Sequence, residues 1–237
     1  MKTFQYSRKF QVSAALGIVV IAGLVSGCGS TMQARKATPS GFLGDYSQLT
    51  KGAEGESLLR YVNPKVNFAK YDKILMMPVQ VYAGKDSKIA KIPREDLQSL
   101  VNYLDATMRE HLKADYTFVD VPGPGVMKLQ LAITEARGSM VVLDVVSSIA
   151  PPGAALSALK QLATGSPSAT GSVGGECQAV DSVSGERLFA AVDARVGQKY
   201  TGKFDKFNKW RASQGAFDFW AEQVQQELRE HRKQGAR

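Results

Sequence analysis

The sequence predicts an α/β chain of the α+β kind: a mixed, largely antiparallel sheet packed by one long helix and a C-terminal helix. Three observations predict it. Residues 127–134 alternate apolar with polar, residues 97–112 carry an apolar stripe at helical spacing, and two strand-like runs flank Ser184-Gly185.

The core is expected to open at residues 71–81, YDKILMMPVQV, where 74–77 are continuously apolar, as in a strand covered on both faces. Pro78 cannot donate to a ladder, so the strand ends or meets an edge there. Pro93 suits a first helical position, and Glu95 and Asp96 then complement the helix dipole in the first turn. Leu97, Leu100, Val101, Leu104, Met108 and Leu112 form one stripe for packing against a sheet. A short strand over 117–121 is stopped by Pro122-Gly123-Pro124-Gly125. Met127, Leu129, Leu131 and Ile133 alternate with Lys128, Gln130, Ala132 and Thr134, the pattern of a half-buried strand. A further apolar run at 140–146 reads as another strand. Residues 176–183 and 187–196 read as an antiparallel hairpin, with Asp181 and Gly185 supplying the turn. Phe217, Trp220, Val224 and Leu228 mark the C-terminal amphipathic helix, and the tail RKQGAR is expected to fray.

The N-terminus has a different character. Lys2, Arg8 and Lys9 precede an apolar stretch over 12–25, and the first acidic residue in the chain is Asp45. That stretch has signal-peptide proportions and falls short of the ~20 residues of a spanning helix. Val25-Ser26-Gly27-Cys28 closes it and looks like a lipobox: small residues admit a peptidase that cuts between Gly27 and Cys28, and the Cys28 thiol accepts the lipid. An ordinary secretory signal with an incidental cysteine, or a short membrane anchor, is the alternative. Two or three acyl chains, at ~0.8 kcal/mol per buried methylene, hold a protein stably on a membrane. Gly29 is not the aspartate that resembles an inner-membrane retention signal in enterobacteria. The expected location is therefore the outer membrane, facing the periplasm.

The chain thus divides into a signal peptide (1–27), a lipidated cysteine with a tether (28–50), and a single envelope domain (51–237). The tether is Gly-, Ser- and Thr-rich at its start, whereas Phe42, Leu43, Tyr46 and Leu49 are expected to fold back onto the domain. Removing 1–27 takes away three of 30 basic residues and none of 22 acidic ones, so the net charge falls from +8 to +5. That excess suits anionic surfaces. Nucleic acid is not an expected partner of an exported protein. The expected partners are the membrane, through the lipid, and an envelope protein; the oligomeric state stays open. Once Cys28 is acylated, Cys177 is the remaining thiol, expected as a small buried hydrophobe in a strand.

Two segments stand apart from this frame. Residues 147–175 read either as a long crossover between strands or as an insertion that touches membrane or partner. Lys199, Lys203, Lys206, Lys209 and Arg211 interleave with Tyr200, Phe204, Phe207 and Trp210. That mixture suits an anionic interface, or a solvated strand and loop whose rings turn inward.

Signals for catalysis are scarce. The chain has no Gly-x-Ser-x-Gly elbow, phosphate-binding loop or dinucleotide fingerprint, and Gly123-Pro124-Gly125 reads as a turn. His111 and His231 lack partners at metal spacing. Asp181 and Asp193 suggest a carboxylate pair, though turn capping and surface solvation explain them more simply. No cofactor or metal is expected, and a non-enzymatic role is.

Several segments together resemble the domain-of-unknown-function 3313 family of proteobacterial lipoproteins. They are Ser40-Gly41-Phe42-Leu43-Gly44-Asp45-Tyr46, Tyr61-Val62-Asn63-Pro64, residues 71–78, Ala132-Ile133-Thr134, and the hairpin from Asp181 to Gly185, over about residues 38–200. The resemblance implies an envelope location and no established reaction, and Cys28 alone carries a role across. The element order also resembles small domains of other envelope lipoproteins, including the curli secretion pore family. That likeness supplies an alternative, an oligomeric export component in which residues 141–175 refold on assembly. An envelope hydrolase with an unrecognised site is a further alternative.

Overall fold

A computed structural model describes residues 31–84, 87–139, 171–197 and 209–235. Among these, nine strands form one sheet: β1 (Thr31–Gln33), β2 (Thr50–Lys51), β3 (Leu59–Val62), β4 (Lys73–Met76), β5 (Gln80–Val81), β6 (Thr117–Phe118), β7 (Val126–Arg137), β8 (Ser172–Asp181) and β9 (Arg187–Gly197). Two long helices, α1 (Arg94–Leu112) and α2 (Arg211–Gly235), pack on it. The sheet runs β2-β3-β9-β8-β7-β4-β6, with β1 on β9 and β5 on β7. The expected α+β class and both helices are therefore present.

The antiparallel trio β7-β8-β9 is the backbone of the sheet. Its strands are long because alternation is sustained: Met127, Leu129, Leu131 and Ile133 turn to the helices, each at most 3% exposed. The hairpin is longer than the sequence suggests, since β8 begins at Ser172 and β9 reaches Gly197. The strand expected at 140–146 and most of the crossover lie outside the described residues.

The run at 74–77 is interrupted, as Pro78 predicts: β4 stops at Met76 and β5 resumes at Gln80, both pairing parallel to β7. Parallel pairing needs a crossover, and α1 supplies it by returning the chain to β6, which pairs with β4. Pro93 sits one position ahead of α1 rather than inside it. Leu100, Leu104, Met108 and Leu112 of the stripe are fully enclosed.

The two helices run parallel. At their N-termini Lys209 Nζ donates to Asp96 at 2.7 Å, midway along α1 the Tyr103 hydroxyl donates to Asp218 at 3.1 Å, and toward their C-termini Arg229 Nε donates to Asp115 at 2.7 Å. Between them and the sheet lies the core, with Ile74, Leu100, Met108, Leu112, Met127, Leu129, Phe217 and Leu228 essentially dry. Each such side chain contributes about 1.5–3 kcal/mol by leaving water. The tail expected to fray instead stays helical to Gly235. Arg232 holds it by donating to the Asp115 carbonyl at 2.9 Å and stacking over Tyr116 at 5.0 Å.

The expected tether is also corrected from Thr31 onward. Thr31, Met32 and Gln33 pair with Gly197, Val196 and Arg195, and Ala34 N donates to the Ala194 carbonyl at 2.8 Å. Backbone groups that find a strand edge so close have no reason to remain in water. The expected fold-back holds: Leu43 packs on Ala190 and Val192, with Phe42, Tyr46 and Leu49 around it.

Candidate functional site

Two buried carboxylates sit on neighbouring rungs of the β8–β9 hairpin, where Glu176 pairs with Val192 and Gly175 with Asp193. Strand alternation sends them to opposite faces. Both are nearly inaccessible, at 3% and 4% exposure, so each must be supplied with donors.

Asp193 lies on the helix side. Its Oδ2 accepts from Trp220 Nε1 at 2.7 Å, and its Oδ1 accepts from Gln33 Nε2 at 3.1 Å and Leu58 N at 3.3 Å. Gly175 makes this possible, because a Cβ there would lie 2.7 Å from the Trp220 ring. Arg195, 3.9 Å from the same carboxylate, donates to Thr31 Oγ1 at 2.9 Å and lies 3.6 Å from the centre of the Phe219 ring. Burial lowers the Arg195 pKa, and Asp193 works against that shift.

Glu176 faces the other way, toward residues 34–49, which form a strap across the sheet. Its Oε1 accepts from Ser40 N and its Oε2 from the Tyr46 hydroxyl, each at 2.6 Å. The Tyr46 oxygen in turn accepts from Gly41 N at 2.8 Å and Leu43 N at 3.2 Å. Gly41 and Gly44, at φ +104° and +70°, let the strap coil around that ring. Burial raises the Tyr46 pKa, helped by its bond to Glu176. Arg187 clasps the strap from below, donating to the carbonyls of Leu43 and Asp45 at 2.7 Å.

The segments that carry the family resemblance meet on this hairpin. Asn63 Nδ2 donates to Glu186 at 2.8 Å, and the Tyr71 hydroxyl donates to Asp181 at 3.0 Å. Asp181 caps the turn by accepting from Val183 N and Ser184 N, as expected. Asp193, expected at a solvated surface, is instead enclosed, and the two aspartates are not brought together.

A small cavity lies between α2 and the hairpin, about 40 Å³ in volume, against Leu104, Met108, Cys177, Trp220, Val224 and Glu227. That is room for roughly two or three waters. Cys177, expected as a buried hydrophobe, is half-buried beside this cavity, and desolvation, with the neighbouring Glu227, pushes its thiol up to about 12. Burial raises the Glu227 pKa too, and Arg60 at 3.2 Å offsets this. His111 and His231 lie on different helices, and the His231 ring packs 5.2 Å from Phe68.

Of the residues singled out in the sequence, Gly27, Cys28, Lys199, Lys203 and Lys206 lie outside the described residues. Lys209 is bonded to Asp96 at 2.7 Å and lies 5.6 Å from the Trp210 ring centre. That ion pair holds the Asp96 carboxyl below its ordinary pKa. Arg211 is exposed at the start of α2.

The chain's attachment points gather at one end of the sheet. Thr31 pairs with Gly197, Ser172 pairs with both Val196 and Arg137, and Ser139 N donates to the Lys209 carbonyl at 2.8 Å. Residues 140–170 and 198–208 are therefore joined to the domain at the end where β1 begins. Cys28 precedes Thr31 by three residues, a reach of about 11 Å at full extension.

These features define a class: an α+β domain whose sheet carries two parallel helices on one face and an N-terminal strap on the other. The chain belongs to the family described as Protein of unknown function (DUF3313), whose model matches residues 38–224. It is 29% identical over 167 residues to the "Uncharacterized lipoprotein YdcL" of Escherichia coli (strain K12), covering 70% of each chain. Among solved structures it is similar to a PelC dodecamer from Paraburkholderia phytofirmans (TM-score 0.35, 13% identity, 70% of this chain and 92% of that one). It is also similar to a neuraminyllactose-binding hemagglutinin homolog from Helicobacter pylori (TM-score 0.37, 10% identity, 73% of this chain and 91% of that one).

Proposed function

We propose that this protein is a lipoprotein of the bacterial cell envelope, anchored to the outer membrane through Cys28 and facing the periplasm. Its role there is non-enzymatic, binding an envelope partner or assisting envelope assembly. The observation that carries the reading is the Val25-Ser26-Gly27-Cys28 box standing three residues ahead of a strand built into the sheet. Cutting before Cys28 leaves the folded domain entire, and the lipid then holds it directly. The lipoprotein relative supports the coarser part of this reading, a place in the cell envelope. No described helix is long and apolar enough to cross a membrane.

The non-enzymatic part of the reading is supported by what two enclosed carboxylates, Glu176 and Asp193, and the half-buried Asp181 do. Glu176, Asp193 and Asp181 spend their oxygens on the strap, Trp220 and the hairpin turn, where each is a structural tie. Labelling cells with an acyl probe tests the anchor: wild-type protein takes up label and fractionates with the outer membrane, while Cys28→Ala does neither. Label retained by Cys28→Ala would overturn the assignment. Crosslinking in cells tests the role, and a reproducible envelope protein should be recovered.

A further inference from the structure

We propose that the end of the sheet at which β1 begins docks on anionic phospholipid headgroups, so that the domain lies against its membrane in one orientation. The inference rests on lipidation of Cys28 and adds to it a surface and a direction.

Three lines of observation define the surface. The first is reach. The lipid-bearing residue lies within about 11 Å of Thr31, little more than the ~8 Å Debye length at physiological salt. A domain on so short a lead cannot stand clear of the headgroups. β1 is hydrogen-bonded to β9 along its length, so the lead gains no slack by peeling away from the sheet.

The second is charge. Ser87 Oγ donates to the Thr134 carbonyl at 2.9 Å, which places the segment leading into α1 toward the same end of β7. Lys209 bonded to Asp96 places the start of α1 beside the start of α2. Lys88, Lys91, Arg94 and Arg211 stand exposed here, with no ion pair among the described residues. Arg137 and Lys209, half exposed, are paired with Glu135 and Asp96. Glu95 is the other carboxylate in the first turn of α1. The described residues of this end therefore carry an excess of positive charge, and the positive poles of both parallel helices add to it.

The third is contrast with the opposite end, around the β8–β9 turn. There Asp72, Glu110, Asp120 and Glu186 stand among Lys65, Lys70, Lys73 and Lys113, so the signs are mixed. Asp181 occupies the turn itself, beneath an exposed Val183. An anionic surface that reaches both ends through the same lipid favours the first.

Each cation held within a Debye length of an anionic membrane strengthens binding about fivefold. The test uses the mature lipoprotein reconstituted in vesicles of phosphatidylcholine with phosphatidylglycerol. A fluorophore is placed at Ala90→Cys, near the docking end, or at Val183→Cys, at the far end, each in a Cys177→Ala background. A nitroxide on the lipid headgroup should quench the first strongly and the second weakly. Arg211→Gln should shift that preference about fivefold toward parity. The combination of Lys88→Glu, Lys91→Glu, Arg94→Glu and Arg211→Glu should abolish it, with unchanged circular dichroism and unchanged flotation. Vesicles of phosphatidylcholine alone should remove it equally.

Equal quenching at both positions in the floating wild-type protein overturns docking and leaves the anchor intact, as does a preference indifferent to phosphatidylglycerol. Failure of the purified mature protein to float overturns the lipid anchor and the docking with it.

Discussion

The two faces of the β7–β8–β9 sheet are held by different forces. The helix face is a continuous apolar layer in which α1 and α2 bury whole side chains, with Asp193 as its enclosed carboxylate. The strap face has a small cluster of Leu43, Ala190 and Val192, and its remaining hold is polar: Glu176 on Ser40 and Tyr46, and Arg187 on Leu43 and Asp45. Non-directional burial tolerates adjustment, whereas the strap depends on a few bonds of fixed geometry. The helix face should therefore govern global stability, and the strap should open as a local unit.

Breaking the helix face should have the greatest consequence. Phe217→Ala, at a fully enclosed position, should cost about 3–5 kcal/mol in urea unfolding, with a lower midpoint. A loss under about 1 kcal/mol would mean that α2 contributes little to the fold. Gly175→Ala comes next, because its Cβ meets the Trp220 ring and pushes the indole from Asp193. It should cost about 1–3 kcal/mol and shift tryptophan emission to the red.

Glu176→Ala sharpens the contrast from the other side. It strips Ser40 N and the Tyr46 hydroxyl of their acceptor, costing about 1–2 kcal/mol. Limited proteolysis should then cut between residues 37 and 49 while α1 and α2 stay protected. Simultaneous cleavage throughout the chain would show that both faces melt as one.

A pH dependence at the turn is the subtlest of these effects. Burial and the bond to Asp181 push the Tyr71 hydroxyl up to about 12 from an ordinary 10. Between those values the folded chain keeps a proton that the unfolded chain releases. The stabilisation is complete below about pH 10 and is lost as pH rises through about 12. Tyr71→Phe should flatten the stability curve across that window and, by removing the bond to Asp181, lower it at neutral pH.

Elements whose pattern repeats along the chain are legible in the sequence. The stripe in α1, the alternation in β7, the hairpin around Ser184-Gly185 and the amphipathic α2 are each written within a short window. The strap is partly legible through Phe42, Leu43, Tyr46 and Leu49, since apolar side chains in a Gly- and Ser-rich lead need cover. The roles of Glu176 and Asp193 are hidden, because a carboxylate in a strand has the same local signature whether it is solvated or enclosed. One hint is Gly174-Gly175, a pair that weakens a strand unless another group must approach closely.

The Val25-Ser26-Gly27-Cys28 pattern that resembles a lipobox, the basic excess, the class of fold and the periodic elements can thus be read from the order of residues alone. These depend on residues near one another in the chain, the periodic ones through the 2- and 3.6-residue periods of local backbone. Only in the folded chain does it emerge that Thr31–Gln33 joins the sheet, that β4 and β5 lie parallel to β7, and that both helices start at the end where β1 begins. The fold also selects which carboxylates are enclosed, since Tyr46 and Glu176 are 130 residues apart and meet only when the hairpin is covered. Such pairings are set by which surfaces can exclude water together, a property of the assembled layers that no stretch of chain carries alone.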